Sequence, residues 1–296
     1  MIYPQYDSPV HARRVRRLLL GAAATLFMLP PLVAAKAADW PGEAPLRGSF
    51  EPPAPAGGGT RWDGINFGAQ FGVGTMNTDF GSSASASVAY DFRNTVVGQQ
   101  YHPENWTTLP ATDTNGRSFG GFLGYAIRLE DTVIGIDVAY NKVASGFDQN
   151  ASDYISRQMT TSDGFSNQVT ITSQSQIKLK DYATLRGRVG YAFGQFLPYA
   201  FAGVAVGRFD YATTMRVQSS GQPPTGSTLS SYNSDNTYID AKNNAFAAGF
   251  VGGLGIDVAV TQNVFLRAEW EGIAFASVGG IRNKMNTGRV GVGVRF

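Results

Sequence analysis

The chain contains no cysteine, so neither disulfide bridges nor thiolate chemistry is available to it. Histidine is almost as scarce, with only His11 and His102, which starves any zinc or haem site built on imidazole. Long apolar runs are missing as well. After residue 40 no stretch approaches the roughly 18 apolar residues that a membrane-crossing helix needs. Charge is thin: Asp, Glu, Lys and Arg make up 16%, against about 25% in ordinary soluble domains. Together these shortages argue against a soluble α/β enzyme and against a helical membrane protein.

Glycine and aromatic residues are abundant instead, with 36 Gly, 19 Phe and 13 Tyr among 296 residues, as expected of a β-rich or membrane chain. The amino terminus has the layout of an export signal. Arg13, Arg14, Arg16 and Arg17 precede an apolar run from Leu18 to Leu29, then Pro30–Pro31 and the triplet Ala35-Lys36-Ala37. This pattern predicts a signal peptide over residues 1–37, cleaved between Ala37 and Ala38. That segment holds five of the 24 basic residues and one of the 22 acidic ones. The remaining chain then has 19 against 21, a net charge of −2. No basic patch is left to suggest a nucleic-acid partner. Residues 38–60, rich in Pro and Gly and without apolar periodicity, read as an extended periplasmic linker.

From Trp62 onward the dominant period is two. Ile65, Phe67, Ala69, Phe71 and Val73 alternate with Asn66, Gly68, Gln70 and Gly72, the pattern of a half-buried strand. Seven more such runs follow, around Phe119–Ile127, Ile134–Asn141, Ile177–Tyr191, Leu197–Tyr211, Phe250–Val258, Leu266–Glu271 and Arg289–Phe296. In the fifth run Leu197, Tyr199, Phe201, Phe209 and Tyr211 are placed on the apolar face, with Arg208 and Asp210 opposite. In the fourth, Ile177 and Leu179 join Ala183, Leu185, Val189 and Tyr191. Short turns at Glu130–Asp131, Gly194–Gln195 and Thr261–Asn263 alternate strictly with long connections near Thr75–Gly116, Ser145–Ser175 and Val217–Asn244 and a shorter one near Gly279–Asn283.

That order predicts an all-β fold for residues 61–296: an eight-stranded antiparallel up-and-down transmembrane β-barrel with long extracellular loops and short periplasmic turns. An eight-stranded barrel encloses room for little beyond its own side chains. Placing glycines, alanines and charges inside and large apolar groups outside is consistent only if the outside is lipid. Closure then pairs every backbone group. Tyr125, Tyr140, Tyr191, Tyr199 and Tyr211 suit the aromatic belts at the two membrane interfaces.

The opening Trp62, Gly64 and Gly68, the eight strands and the closing Val294-Arg295-Phe296 resemble the small outer-membrane β-barrel superfamily. Its members include the Omp25/Omp31-like surface proteins of alphaproteobacteria, the opacity proteins and the OmpA-type transmembrane domain. The resemblance covers about Arg61 to Phe296. It implies a role in envelope integrity, narrow permeability, adhesion or surface antigenicity, and residence in the Gram-negative outer membrane. It also implies lipid and lipopolysaccharide as surroundings, and the barrel-assembly machinery as a partner during biogenesis, with Phe296 as the assembly signal.

Catalysis in such a barrel would need a serine nucleophile, a histidine base and an orienting carboxylate. Past the leader the chain offers only His102, in the loop segment Tyr101-His102-Pro103. No enzyme, cofactor or metal site is expected. The lumen charges say more. Asp137, Arg186, Arg188, Arg208, Asp257, Arg267, Glu269, Glu271 and Arg289 are expected to face inward. They either pair into a network that plugs the barrel or form an arginine-lined constriction for small anions. The plug is the preferred reading, because so narrow an interior is filled by its own side chains. The loops, rich in Ser, Thr, Asn, Gly and Asp, offer a third possibility, an adhesin or surface ligand-binding role, with no residue cluster that names the ligand.

Overall fold

The computed structural model of the protein describes residues 61–106 and 109–296. The expected signal peptide with its Ala37/Ala38 junction and the linker of residues 38–60 lie outside the described residues. Nine strands follow one another: β1 (Gly64–Asp79), β2 (Thr112–Leu129), β3 (Thr132–Ser145), β4 (Asp148–Thr160), β5 (Ser166–Tyr191), β6 (Phe196–Gln222), β7 (Tyr232–Ala259), β8 (Val264–Phe275) and β9 (Arg282–Arg295). Each pairs antiparallel with its neighbour, except that β3 skips β4 and pairs with β5. β9 pairs back to β1, from Asn66 opposite Arg295 to Asp79 opposite Arg282. Eight strands therefore form a closed ring, and β4, bonded only to β5, stands outside it.

The tight turns are where the sequence places them. Glu130 adopts a left-handed φ of 56° between β2 and β3, and Gly194 one of 56° between β5 and β6. The hydroxyl oxygen of Thr261 accepts from the amides of Asn263 and Val264 in the turn between β7 and β8. At the other end the strands run much further than the apolar pattern suggests. β5, β6 and β7 are 26, 27 and 28 residues long and continue past the membrane band as a wall, with β4 along one edge. Most of the connections expected over residues 145–175 and 217–244 are thus strand rather than loop. Their exposed faces are mostly Thr, Ser, Gln, Asn and charged residues, so the sequence carries little apolar contrast there.

The first long connection is partly helical. α1 (Ser85–Phe92) and α2 (Val96–Tyr101) lie against the inner face of the wall, where Val88, Phe92 and Val97 pack with Val169, Ile171, Met215 and Val217. Those four strand residues alternate with polar ones at period two, which is what lets the wall offer one apolar face to the helices.

Outward positions of the ring are apolar and exposed, including Phe67, Leu123, Ile136, Leu185, Val204, Leu254, Trp270 and Val292. On β6 this outer row runs from Phe196 to Val206, which at a tilt near 40° covers about 25 Å, the height of a membrane band.

Two stretches reverse the expected facing. On β6, Leu197, Tyr199, Phe201 and Phe209 are buried inside the barrel, Tyr211 packs against the same core, and Val204 and Val206 face out. The reason lies on the neighbouring strand. Phe201 sits opposite Gly253 and Tyr199 opposite Gly255, and a Cβ on either glycine would come within 2.5 Å of the facing ring. The glycines of β7 make room for the aromatics of β6. On β5 the register slips between Leu179 and Asp181, so Ile177 and Leu179 turn inward although Leu185 and Val189 face out.

Candidate functional site

The barrel interior is filled in layers. At the short-turn end Trp62 is 1% exposed and donates its indole N–H to the Gly194 carbonyl at 3.1 Å. The Arg295 guanidinium lies 4.2 Å from that ring and donates to the Arg61 carbonyl. The middle layer is charged. Arg186 (β5) reaches Glu269 at 2.9 Å and Glu271 at 3.3 Å, both from β8. Arg289 (β9) meets the same two carboxylates, at 3.0 Å for Glu269 and closer for Glu271. Arg267 (β8) donates to both oxygens of Asp257 (β7) at 2.8 and 2.9 Å, the bidentate geometry that makes such pairs strong. Arg188 (β5) adds a 3.2 Å contact to Asp257. Asp137 (β3) stands within 3.6 to 3.8 Å of Arg186, Arg188 and Arg267 and links the two halves.

Strand parity explains why these residues meet. Inward positions recur every second residue, so Arg186 and Arg188, and Arg267, Glu269 and Glu271, stack on one face of their strands. Small residues leave the space. A Cβ on Gly124 would stand 1.9 Å from the Asp137 carboxylate. Four arginines and four acids share the layer, and none exceeds 5% exposure. Their charges balance, and each ion has an opposite partner, as burial requires.

Aromatic rings complete the layer. The Tyr199 hydroxyl donates to Glu269 at 2.8 Å and to Asp257 at 3.3 Å. Arg186 lies 4.4 Å from the Phe201 ring and Arg267 4.2 Å from Phe122. Beside these, Gln70 donates its amide to Asn141 at 2.6 Å. Toward the long-loop end follows an apolar layer in which Met76, Phe80, Phe147, Leu179, Phe209 and Ile281 are each fully buried. Phe209 and Phe275 meet edge to face at 5.2 Å there.

Eight of the nine residues expected in the lumen are thus in one connected cluster: Asp137, Arg186, Arg188, Asp257, Arg267, Glu269, Glu271 and Arg289. Arg208 is not among them. It takes the outward parity of β6, is part-exposed at the top of the apolar band, and pairs there with Asp181. Tyr199 likewise leaves the expected interfacial belt for the lumen and Tyr211 turns inward, whereas Tyr125, Tyr140 and Tyr191 face outward. Sequence reasoning missed Trp62, Tyr199, Phe201, Phe122 and Phe265 as interior groups, along with the whole apolar layer. The glycine-rich run from Gly249 to Gly255 was the available signal, since it marks a wall thin enough to receive rings. His102 sits in the first long connection, exposed, with Nδ1 3.1 Å from Glu104. Phe296 is 62% exposed, donates its N–H to the Ile65 carbonyl at 3.0 Å, and stacks on Phe67 with ring centres 5.8 Å apart.

No curated protein matches the chain. Among solved structures it is similar to Ail, the attachment invasion locus protein of Yersinia pestis, at 11% identity and a TM-score of 0.32, covering 79% of this chain and 99% of Ail. It is also similar to OprG from Pseudomonas aeruginosa, at 10% identity and a TM-score of 0.33, covering 80% and 98%. Neisserial surface protein A matches at 15% identity and a TM-score of 0.30, covering 79% and 100%. The outer membrane protein beta-barrel domain family matches residues 23–296, nearly the whole length. With its closed antiparallel ring and lipid-facing outer surface, the chain belongs to that family and resides in the Gram-negative outer membrane.

Proposed function

We propose that this is a structural outer-membrane protein whose barrel is plugged by its own side chains and whose extracellular wall forms part of the cell surface. The observation that carries the reading is the balanced layer of four arginines and four acids, all buried and mutually paired, beneath an apolar layer of fully buried side chains. A narrow anion-preferring pore would need uncompensated arginines along an open path. Here every lumen arginine of the charged layer has a carboxylate within 3.2 Å. In planar bilayers the protein should give no reproducible conductance steps, and anion-selective steps would overturn the plug. In a deletion strain, sensitivity to detergent with unchanged solute uptake is the matching cellular outcome.

The reading is non-catalytic. His102 is a solvated residue beside Glu104, and no hydroxyl nucleophile hydrogen-bonds to its ring among the described residues. A surface-binding role through the wall is the second reading. It is favoured by Tyr154 and Ile239, which are 73% and 71% exposed on the extracellular strands. Binding assays with the intact protein and its Y154A and I239A variants would separate it from a purely structural role.

A further inference from the structure

The outer edge of the apolar band is not the same all the way round. On three strands around one side of the ring the first polar residue above the outward apolar row is a cation, Arg117 on β2, Lys142 on β3 and Arg208 on β6; on β5, between the last two, it is Asp181, with Lys180 following at the bulge. The opposite wall has none at that level, with Asn244 on β7, Asn286 on β9 and Thr75 on β1. Halfway along the cationic side the ring forks. β3 leaves β5 after Lys142 pairs with Asp181, and Gly146 and Phe147, at φ of 73° and 58°, turn the chain into β4. The fork leaves a notch of about 240 Å³ lined by Lys142, Lys178, Lys180 and Arg208, with Asp148 and Asp181 as its acids.

We propose that this notch docks the phosphate groups of an outer-leaflet glycolipid. Height selects the ligand: the notch opens where the apolar wall ends, at the level of lipid head groups, and its outward neighbour below is the half-exposed Tyr140. Charge selects the phosphate. Lining cations exceed lining acids by two, and the excess is still one when Asp210, which holds Lys180 at 2.7 Å, is included. Lys142 and Arg117 have no carboxylate partner among the described residues. The Lys178–Asp148 pair is 55% exposed on both sides, so it yields easily to a stronger anion. Arg208, fixed by Asp181, keeps part of its guanidinium open to a second acceptor. The proposal rests on the membrane placement and is independent of whether the lumen conducts.

The test uses the full-length protein folded into phosphatidylcholine bilayers doped with bisphosphorylated lipid A, reading thermal unfolding from heat-modifiable gel migration. The glycolipid should raise the unfolding midpoint of the wild type. K142Q/K178Q, which touches only exposed side chains, should need about tenfold more glycolipid for the same rise. R282Q/K284Q on the opposite wall should behave as wild type. An equal rise with dephosphorylated lipid A would overturn the proposal, as would an equal rise with phosphatidylglycerol, which would reduce it to general surface charge. Matching stabilisation by inorganic phosphate alone would also overturn it, because the ligand would then be a soluble anion.

Discussion

At Arg186 three strands meet through one side chain. It binds Glu269 and Glu271 across the lumen and lies over Phe201, with no exposed surface. Removing it alone leaves Glu271 with Arg289 as its one cation, and Glu269 with Arg289, a longer contact to Arg267 and the Tyr199 hydroxyl. R186M should therefore cost about 3–5 kcal/mol in the unfolding free energy, measured by urea titration in bilayers. R186M/E271L, which replaces a buried pair by apolar groups of similar volume, should recover most of that loss. If the double variant were as unstable as the single one, the cost would lie in shape rather than in uncompensated charge. These roles were half legible in the sequence. Residue type and parity put Arg186, Glu269 and Glu271 on inward faces, but which acid meets which arginine depends on strands 83 and 85 residues apart in sequence coming together.

Among the elements, β6 teaches most. Its odd and even positions both carry large apolar side chains, Tyr199 and Phe201 on one face and Val204 and Val206 on the other. Period alone cannot say which face is lipid. The thin glycine wall of β7 decides, and a neighbouring strand's composition is not part of the local pattern. The bulge after Leu179 does the same to β5. The wall beyond the membrane is hard to read from sequence because its outward face is mostly polar, with little apolar alternation to mark a strand. α1 was missed because its partners lie on strands distant in sequence. Two hydrogen bonds from β7 tie that helix down: the Tyr238 hydroxyl donates to Asp91 at 2.5 Å and the Asn236 side-chain amide donates to the same oxygen at 2.8 Å. Bonding to this carboxylate raises the Tyr238 pKa from the ordinary value near 10 to about 12. The folded value lies above the unfolded one, so this contribution is complete below about pH 10 and is lost as pH rises through about 12. A tyrosinate absorbance titration of wild type minus Y238F should show one residue ionising near 12. At neutral pH, Y238F should speed hydrogen exchange at Val88 and Phe92 while leaving the barrel strands unchanged.

For the whole molecule the decisive contact is the seam between β9 and β1, where the last strand finds the first some two hundred residues away. Phe296 completes it through its bond to Ile65 and its stacking on Phe67. Deleting Phe296 should lower the membrane-assembled, heat-modifiable fraction several-fold while leaving bilayer conductance unaltered. Full assembly of the truncated chain would reduce Phe296 to an ordinary lipid-facing residue. By itself the sequence determined the fold class, the short turns at one end of the barrel, and the inside-out distribution of charge. All of these follow from local period and composition, which act within one strand or one turn. Only the tertiary structure decided the facing of β6, the detachment of β4 from the ring, the apolar layer above the charges and the cationic notch at the fork. Each depends on which strands become neighbours, and pairing is a property of the closed ring.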